Sequence, residues 1–230
     1  MAGVKEFDLA KTPLREVNRW LHREAAAAGV SRVKLLNADG AHSIAAGLHA
    51  PLEVEVDGHA GYYLGGMNMH ASITVNGNAG PGVGENMMSG TIRVAGFAST
   101  AAGASAHGGL LVIDGDAALR CGISLKGGDI VVGGDVGSFS AFMAQAGRIV
   151  VCGDAGDALG DSLYEAVIYV RGKVRSLGAD ARFEPMQPSD HEAVRALLDR
   201  AGLAHDPAGF RRVASAKTLY HWNADANQEY

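Results

Sequence analysis

The chain has 230 residues, and its 20 basic and 25 acidic side chains leave a net charge of −5. That balance argues against broad binding to nucleic acid or to an anionic membrane. The apolar runs are too short to span a bilayer and the N-terminus lacks a charged-then-apolar secretory pattern, so a cytoplasmic protein is expected.

Residues 1–51 are expected to form an N-terminal cap of one helix and one strand. Thr12 followed by Pro13 suits a helix start, with a hydroxyl N-cap and proline at the first helical position. Leu14, Val17, Leu21, Ala25 and Ala28 follow at helical spacing, and Gly29 closes the segment. Val33 and Leu35 then read as a short strand, with a turn at Asn37 to Gly40.

Residues 52–178 carry a repeat. Gly58, Gly77, Gly96, Gly115, Gly134, Gly153 and Gly172 recur every 19 residues, and a period near 20 sustained over seven units marks a solenoid. Four residues before each glycine stand Val54, Ile73, Ile92, Leu111, Ile130, Ile149 and Ile168. Two before it stand Val56, Val75, Val94, Ile113, Val132, Val151 and Val170. A spacing of two puts both aliphatics on one face of a strand, the inside wall of a sheet. The glycine that follows suits a bend needing positive φ. A second small-residue corner precedes the strand at Gly90, Gly109, Gly128 and Gly147. The pattern predicts an all-β fold, a right-handed parallel β-helix of about seven 19-residue coils with helical caps at both ends. At about 4.8 Å per coil the rod is roughly 30 Å long.

Residues 179–230 should add a helix and a tail. Ser189 and Glu192 read as a capping box, and Ala193, Val194, Leu197, Leu198 and Ala201 give the helix one apolar face before Gly202. The stretch from Phe210 holds Leu219, Tyr220 and Trp222 without a clear period, as suits a tail laid on a surface.

Four features bear on chemistry. The glycine-rich runs at 77–82 and 133–137 resemble phosphate-cradling loops, but no helix pattern follows them, so they are assigned to corners. Cys121 and Cys152 lie on non-adjacent coils, so buried free thiols are expected, and two cysteines are too few for an iron–sulfur cluster. The histidines show no ligand spacing, and His70 and His107 fall on non-adjacent coils. The fourth feature is the corner containing Tyr62, Tyr63, Met67 and Met69, beside Met87 and Met88 of the next coil, with Met143 on the phase of Met67. Two readings fit these residues: packing into a second inner wall, or a surface for a partner protein.

Two outward ladders complete the pattern. The residue three before each glycine is Glu55, Thr74 and Arg93 in the first coils, then Val112, Val131, Val150 and Tyr169. An apolar row of that length should be covered by a terminal segment or a partner. The residue after each glycine reads His59, Asn78, Phe97, Asp116, Asp135, Asp154 and Lys173. An Asp suits a corner because its side chain can accept from the backbone just ahead of it. Stacking also sets three carboxylates about 4.8 Å apart, so two readings stand: that local corner bond, or an Arg, a Lys or backbone amides, from this chain or a partner, that meet the ladder.

Gly128 to Gly137 and Gly147 to Gly156 are the best copies of a Gly-Gly-x-Ile-x-Val-x-Gly-Asp-x-Gly pattern. It resembles the C-terminal glycine-rich (GXGXG) β-helix domain of the glutamate synthase large subunit, also found in a formylmethanofuran dehydrogenase subunit. Ser99, Ala118 and Arg175 depart from it. Stretches 106–111, 121–128 and 159–166 are similar to the stand-alone β-helix subunit of N-methylglutamate synthase and its glutamate-synthase-like relatives. The resemblance implies a non-catalytic scaffold within a methylamine-metabolising complex that converts glutamate and methylamine to N-methylglutamate and ammonia. It further implies two partners, a glutamine-amidotransferase-like subunit and an FMN-binding subunit that holds an iron–sulfur cluster. No cofactor or catalytic residue is expected in this chain, which begins Met1-Ala2-Gly3 without a nucleophilic cysteine. The rival expectations are an equivalent subunit acting on another amine, a free-standing binding module, or a β-helix enzyme acting on carbohydrate or acyl groups.

Overall fold

The fourteen repeat aliphatics stack in register, and that stack determines the architecture. The computed structural model describes residues 3–217. Strand β1 (Gly3–Asp8), helix α1 (Leu14–Arg23) and strand β2 (Val30–Leu36) precede seven repeat strands. These are β3 (Glu53–Asp57), β4 (Ser72–Asn76), β5 (Thr91–Val94), β6 (Leu110–Ile113), β7 (Lys126–Val132), β8 (Ala146–Val151) and β9 (Val167–Val170). Each pairs in parallel with the next, Val54 opposite Ile73 and so on to Ile149 opposite Ile168. All fourteen side chains are buried, as a period-two pattern facing a closed interior requires. The protein is a parallel β-solenoid.

The sheet starts earlier than the repeat does. Val33 and Leu35 of β2 lie opposite Val54 and Val56, and β1 pairs in parallel with β2. The step from Val33 to Val54 is 21 residues, so this coil is invisible to a 19-residue period. The N-terminal segment therefore belongs to the same sheet instead of forming a separate cap, although α1 does close the end. Its Val17 and Leu21 are buried, Asn18 Nδ2 donates to the Ser43 carbonyl at 2.9 Å, and Asn18 Oδ1 accepts from the Ala45 amide at 3.0 Å. Pro13 occupies the N-cap position and no side chain caps the helix, so the hydroxyl cap expected from Thr12 is not used. The helix ends at Arg23, short of Ala28, and turns lead to Gly29 at φ +65°.

At the far end come β10 (Ala181–Glu184), α2 (Pro188–Ala201), a 3-10 turn (Pro207–Gly209) and β11 (Arg211–Ser215). β11 pairs antiparallel with β9, and β10 lies outside it, which ends the parallel stack. The start of α2 differs from expectation. Gln187 is the N-cap and Asp190, three positions on, accepts from its amide at 2.8 Å. Pro188, with φ preset for a first turn, moves the start ahead of Ser189. Gly202 terminates α2 at φ +67°.

Candidate functional site

Each coil has three walls, and their outward faces are the candidate surfaces. One wall is the sheet. Another is a row of single-residue parallel bridges through Ala60, Ala79, Ala98, Ala117, Val136, Ala155 and Val174. Between the sheet and this row sit the repeat glycines, and the reason for them is space. Only Gly58 of the seven has a positive φ. A Cβ on Gly134, Gly153 or Gly172 would lie 2.0 to 2.2 Å from the carboxylate of Asp116, Asp135 or Asp154 in the preceding coil. The positive φ expected there belongs to the other corner, at Gly90, Gly109, Gly128 and Gly147.

Those carboxylates explain the Gly-Asp pairing. Asp116 accepts from the Asp135 amide at 2.8 Å, Asp135 from the Asp154 amide at 2.6 Å, and Asp154 from the Lys173 amide at 2.7 Å. Upstream, His59 Nδ1 and Asn78 Oδ1 do the same for Asn78 and Phe97 at 3.0 Å. The acceptor serves the same position one coil ahead, not its own corner, so the ladder is met by backbone amides of this chain.

The apolar row on the sheet's outer face is also met internally. Val112, Val131, Val150 and Tyr169 are buried with Leu110, Cys152 and Phe210 beneath Val194, Leu197, Leu198 and Ala201 of α2. Those four residues are therefore not a partner surface. The cover is pinned by polar contacts. Tyr169 Oη donates to Asp190 Oδ1 at 2.7 Å, and Arg93 Nη1 donates to the Ala201 carbonyl at 3.0 Å. Burial, and the hydrogen bond to Asp190, push the Tyr169 phenol well above its ordinary range.

The remaining wall is built from left-handed residues. Positive φ recurs at Tyr63, Gly65 and Met67, at Gly82, Gly84 and Asn86, and so on through Ala158, Gly160 and Ser162. For a non-glycine residue this conformation costs about 1 kcal/mol, and inter-coil hydrogen bonds offset it. The Tyr63 amide donates forward to Pro81 at 2.8 Å, Gly65 backward to Ile44 at 2.9 Å, and Met67 forward to Glu85 at 2.8 Å. The central residue of each triplet faces inward, where Gly103 and Gly122 leave room for Ile130 and Ile149.

Both readings of the Tyr/Met corner are realised, by different residues. Met87 is 1% exposed and fills the inner wall in the row of Asn68, Leu125 and Leu163, so it is withdrawn from the candidate interface. Met88, one residue on, is 44% exposed; Tyr62, Met67 and Met69 also face out, and Tyr63 is half-buried. His42 stacks on Tyr62 with ring centroids 4.0 Å apart. Met143, on the phase of Met67, faces out as well, and the structure adds Leu119 and Phe139, with Phe142 half-buried. The signal for these was the repeat itself, since Leu119 and Phe139 share the phases of Tyr62 and Tyr63. Charge is scarce along the first five repeat coils of this wall. Residues 62–70, 81–89, 100–108, 119–127 and 138–146 make 45 positions, and their charged side chains are Glu85, Arg120 and Lys126; the next coil, 157–165, adds Asp157, Asp161 and Glu165. At the chain's 20% charged share nine would be expected. Aromatic and methionine enrichment with depleted charge is the composition of an interface core.

No protein-family model matches the chain. It is 51% identical over 225 residues to Protein GlxC of Rhizobium meliloti (strain 1021), covering 97% of this chain and 99% of the relative. The chain belongs to the GlxC family.

The cysteines of this GlxC-family chain do not suit cofactor ligation. Cys121 lies in the inner row with Leu64 and Leu159, whereas Cys152 faces α2 on the outer side of the sheet. Burial pushes the Cys121 thiol up to about 12 and the Cys152 thiol up to about 11. Iron–sulfur clusters bind thiolates, and two protonated thiols on opposite faces cannot share one. Among the described residues no group of three or more His, Cys, Asp or Glu side chains is placed to hold a metal ion, which covers His70 and His107. No helix among them is long and apolar enough to cross a membrane.

Proposed function

We propose that this chain is the non-catalytic β-helix scaffold subunit of a glutamate-synthase-like complex, specifically N-methylglutamate synthase. The complex converts glutamate and methylamine to N-methylglutamate and ammonia in the cytoplasm. The observation carrying this reading is the left-handed wall: a rigid, hydrogen-bonded surface that presents Tyr62, Met67, Met69 and Met88 almost without charge. Such a surface suits docking better than turnover. The corner pattern at Gly128 to Gly137 and Gly147 to Gly156 supplies the family of complexes. On this reading its partners are a glutamine-amidotransferase-like subunit and an FMN-binding subunit with its own iron–sulfur cluster. The buried, protonated thiols of this chain favour assigning the cluster to that partner. An otherwise identical complex using another amine would employ the same scaffold.

The test is purification of the tagged chain from its natural host, with native mass spectrometry, flavin absorbance and amine-dependent turnover. The expected result is co-purification of two larger subunits, flavin in one of them, and methylamine as the preferred amine. A monomer that emerges without a flavin-containing companion overturns the scaffold reading. A complex preferring a different amine overturns only the assignment of the reaction.

A further inference from the structure

One column of the left-handed wall lines up soft donor atoms. The Met69 amide donates to the Leu48 carbonyl at 2.7 Å, the Met88 amide to Asn68 at 2.9 Å, and the His107 amide to Met87 at 2.8 Å. Those bonds set His49, Met69, Met88 and His107 side by side on successive coils, about 4.8 Å apart. All four are exposed, and so is Met67, two residues before Met69. Between Met67 and Met69, Asn68 turns inward and is fully buried, its Nδ2 donating to the carbonyls of Ala71 and Ser89 at 3.0 and 3.1 Å. Three thioethers and an imidazole thus share one open face of a backbone that is hydrogen-bonded to both neighbouring coils. The stretch holding Leu219, Tyr220 and Trp222 lies outside the described residues.

The donor set is selective. Thioether sulfur is neutral and polarisable, and such soft ligands select Cu(I) over hard divalent ions. A methionine side chain has three rotatable bonds, so sulfurs on adjacent coils can converge on one ion. His107 has no side-chain partner among the described residues. His49 instead stacks on His22, with ring centroids 5.7 Å apart, and His70 sits beside Ser89, its Nδ1 3.5 Å from Oγ. On these coils the wall's charged side chain is Glu85, whose sign favours a cation, and Lys126 lies one step beyond His107. Met143 is also exposed, but its lateral neighbours are Ser124 and Ser162, so it has no second thioether beside it.

We propose that Met69, Met88 and His107, with Met67 as a further donor, form a surface site for a soft monovalent cation, Cu(I). The site is a property of the isolated chain and stands independently of the complex in which the chain works.

The test uses the full chain carrying Cys121→Ala and Cys152→Ala, which removes the thiols as rival soft ligands. Cu(I) is supplied without oxygen from its bicinchoninate complex, and the methyl signals of the seven methionines are followed by NMR. The expected result is uptake of one ion per chain against the chelator, with shifts at Met69 and Met88 and none at Met143 or Met186. Met69→Leu with Met88→Leu should weaken uptake at least about 100-fold, and His107→Ala about 10-fold, while the circular dichroism stays native. Met143→Leu should change nothing. If the alanine background does not fold, the parent chain carries the same test, because the methyl signals separate thioether from thiol binding. Failure to take the ion from the chelator overturns the proposal. So does uptake that survives the paired leucine substitutions. Shifts at Met143 as large as those at Met69 and Met88 would mean binding to any exposed thioether, and overturn it equally.

Discussion

The sheet face and the left-handed wall both turn apolar side chains outward, and they differ in how that surface is closed. On the sheet face, Val112, Val131, Val150 and Tyr169 lie beneath α2, and the uncovered strands toward the N-terminus carry ion pairs such as Arg32–Glu53 and Lys34–Asp57. On the left-handed wall, Tyr62, Met67, Met69 and Met88 are exposed, with few charges around them. An apolar row therefore does not by itself mark an interface. What separates the two is whether the chain supplies a matching helix face, here Val194, Leu197, Leu198 and Ala201 at helical spacing.

The comparison is broken most severely by uncovering the sheet. Leu197→Ala removes a fully buried side chain from the α2 contact and should cost about 3 kcal/mol in urea unfolding. A cost below about 1 kcal/mol, small for a buried leucine, would mean that α2 does not hold the face. Next come the glycines. Gly134→Ala places a Cβ 2.0 Å from Asp116 Oδ1, whereas at Gly115 the nearest atom is the Gly96 carbonyl oxygen at 2.9 Å, because Phe97 supplies no acceptor. The first should cost about 2–3 kcal/mol and the second clearly less. The reverse order contradicts the spatial account of the repeat.

Tyr169→Phe removes the 2.7 Å hydrogen bond to buried Asp190 and should cost about 1–2 kcal/mol at neutral pH. Its pH dependence has a definite sign. The folded-state phenol is raised, so its contribution is complete below the unfolded value of about 10 and is lost as pH rises through the folded value. The variant should therefore lose less stability than the parent as pH rises above about 10. Equal alkaline slopes in the two proteins contradict the buried hydrogen bond. At the small end is the carboxylate ladder. Asp135→Ala deletes the acceptor for the Asp154 amide and should cost about 1 kcal/mol. Asp135→Asn keeps an oxygen there, relieves repulsion from Asp116 and Asp154, and should be neutral or slightly stabilising. Equal losses in both variants would make the charge, not the acceptor, the stabilising feature.

The inner wall was legible because burial imposes one rule on all seven coils, aliphatic at two fixed offsets from glycine. The purpose of the glycines was not. Spacing shows that Gly134 must be small, but not that Asp116 of the previous coil occupies the space. β1 was missed because Gly3–Asp8 is largely exposed and shows no apolar alternation. The left-handed wall was the least readable element. Tyr63, Met67 and Phe139 are not residue types that signal positive φ, and they are held there by hydrogen bonds to neighbouring coils. The exposed surface it carries could be traced only by projecting Tyr62 and Tyr63 forward through the repeat to Leu119 and Phe139.

The most direct test of the scaffold account places charge on the exposed N-terminal part of that wall. Met69 and Met88 share one phase on adjacent coils, are both exposed, and lie outside the hydrophobic core. Met69→Asp with Met88→Asp should leave the urea midpoint of the isolated chain within about 0.5 kcal/mol of the parent. In native mass spectrometry of the chain purified from its host, the same variant should lose its larger partner subunits. Recovery of the intact complex with both aspartates in place would contradict the assignment of the left-handed wall as the docking surface.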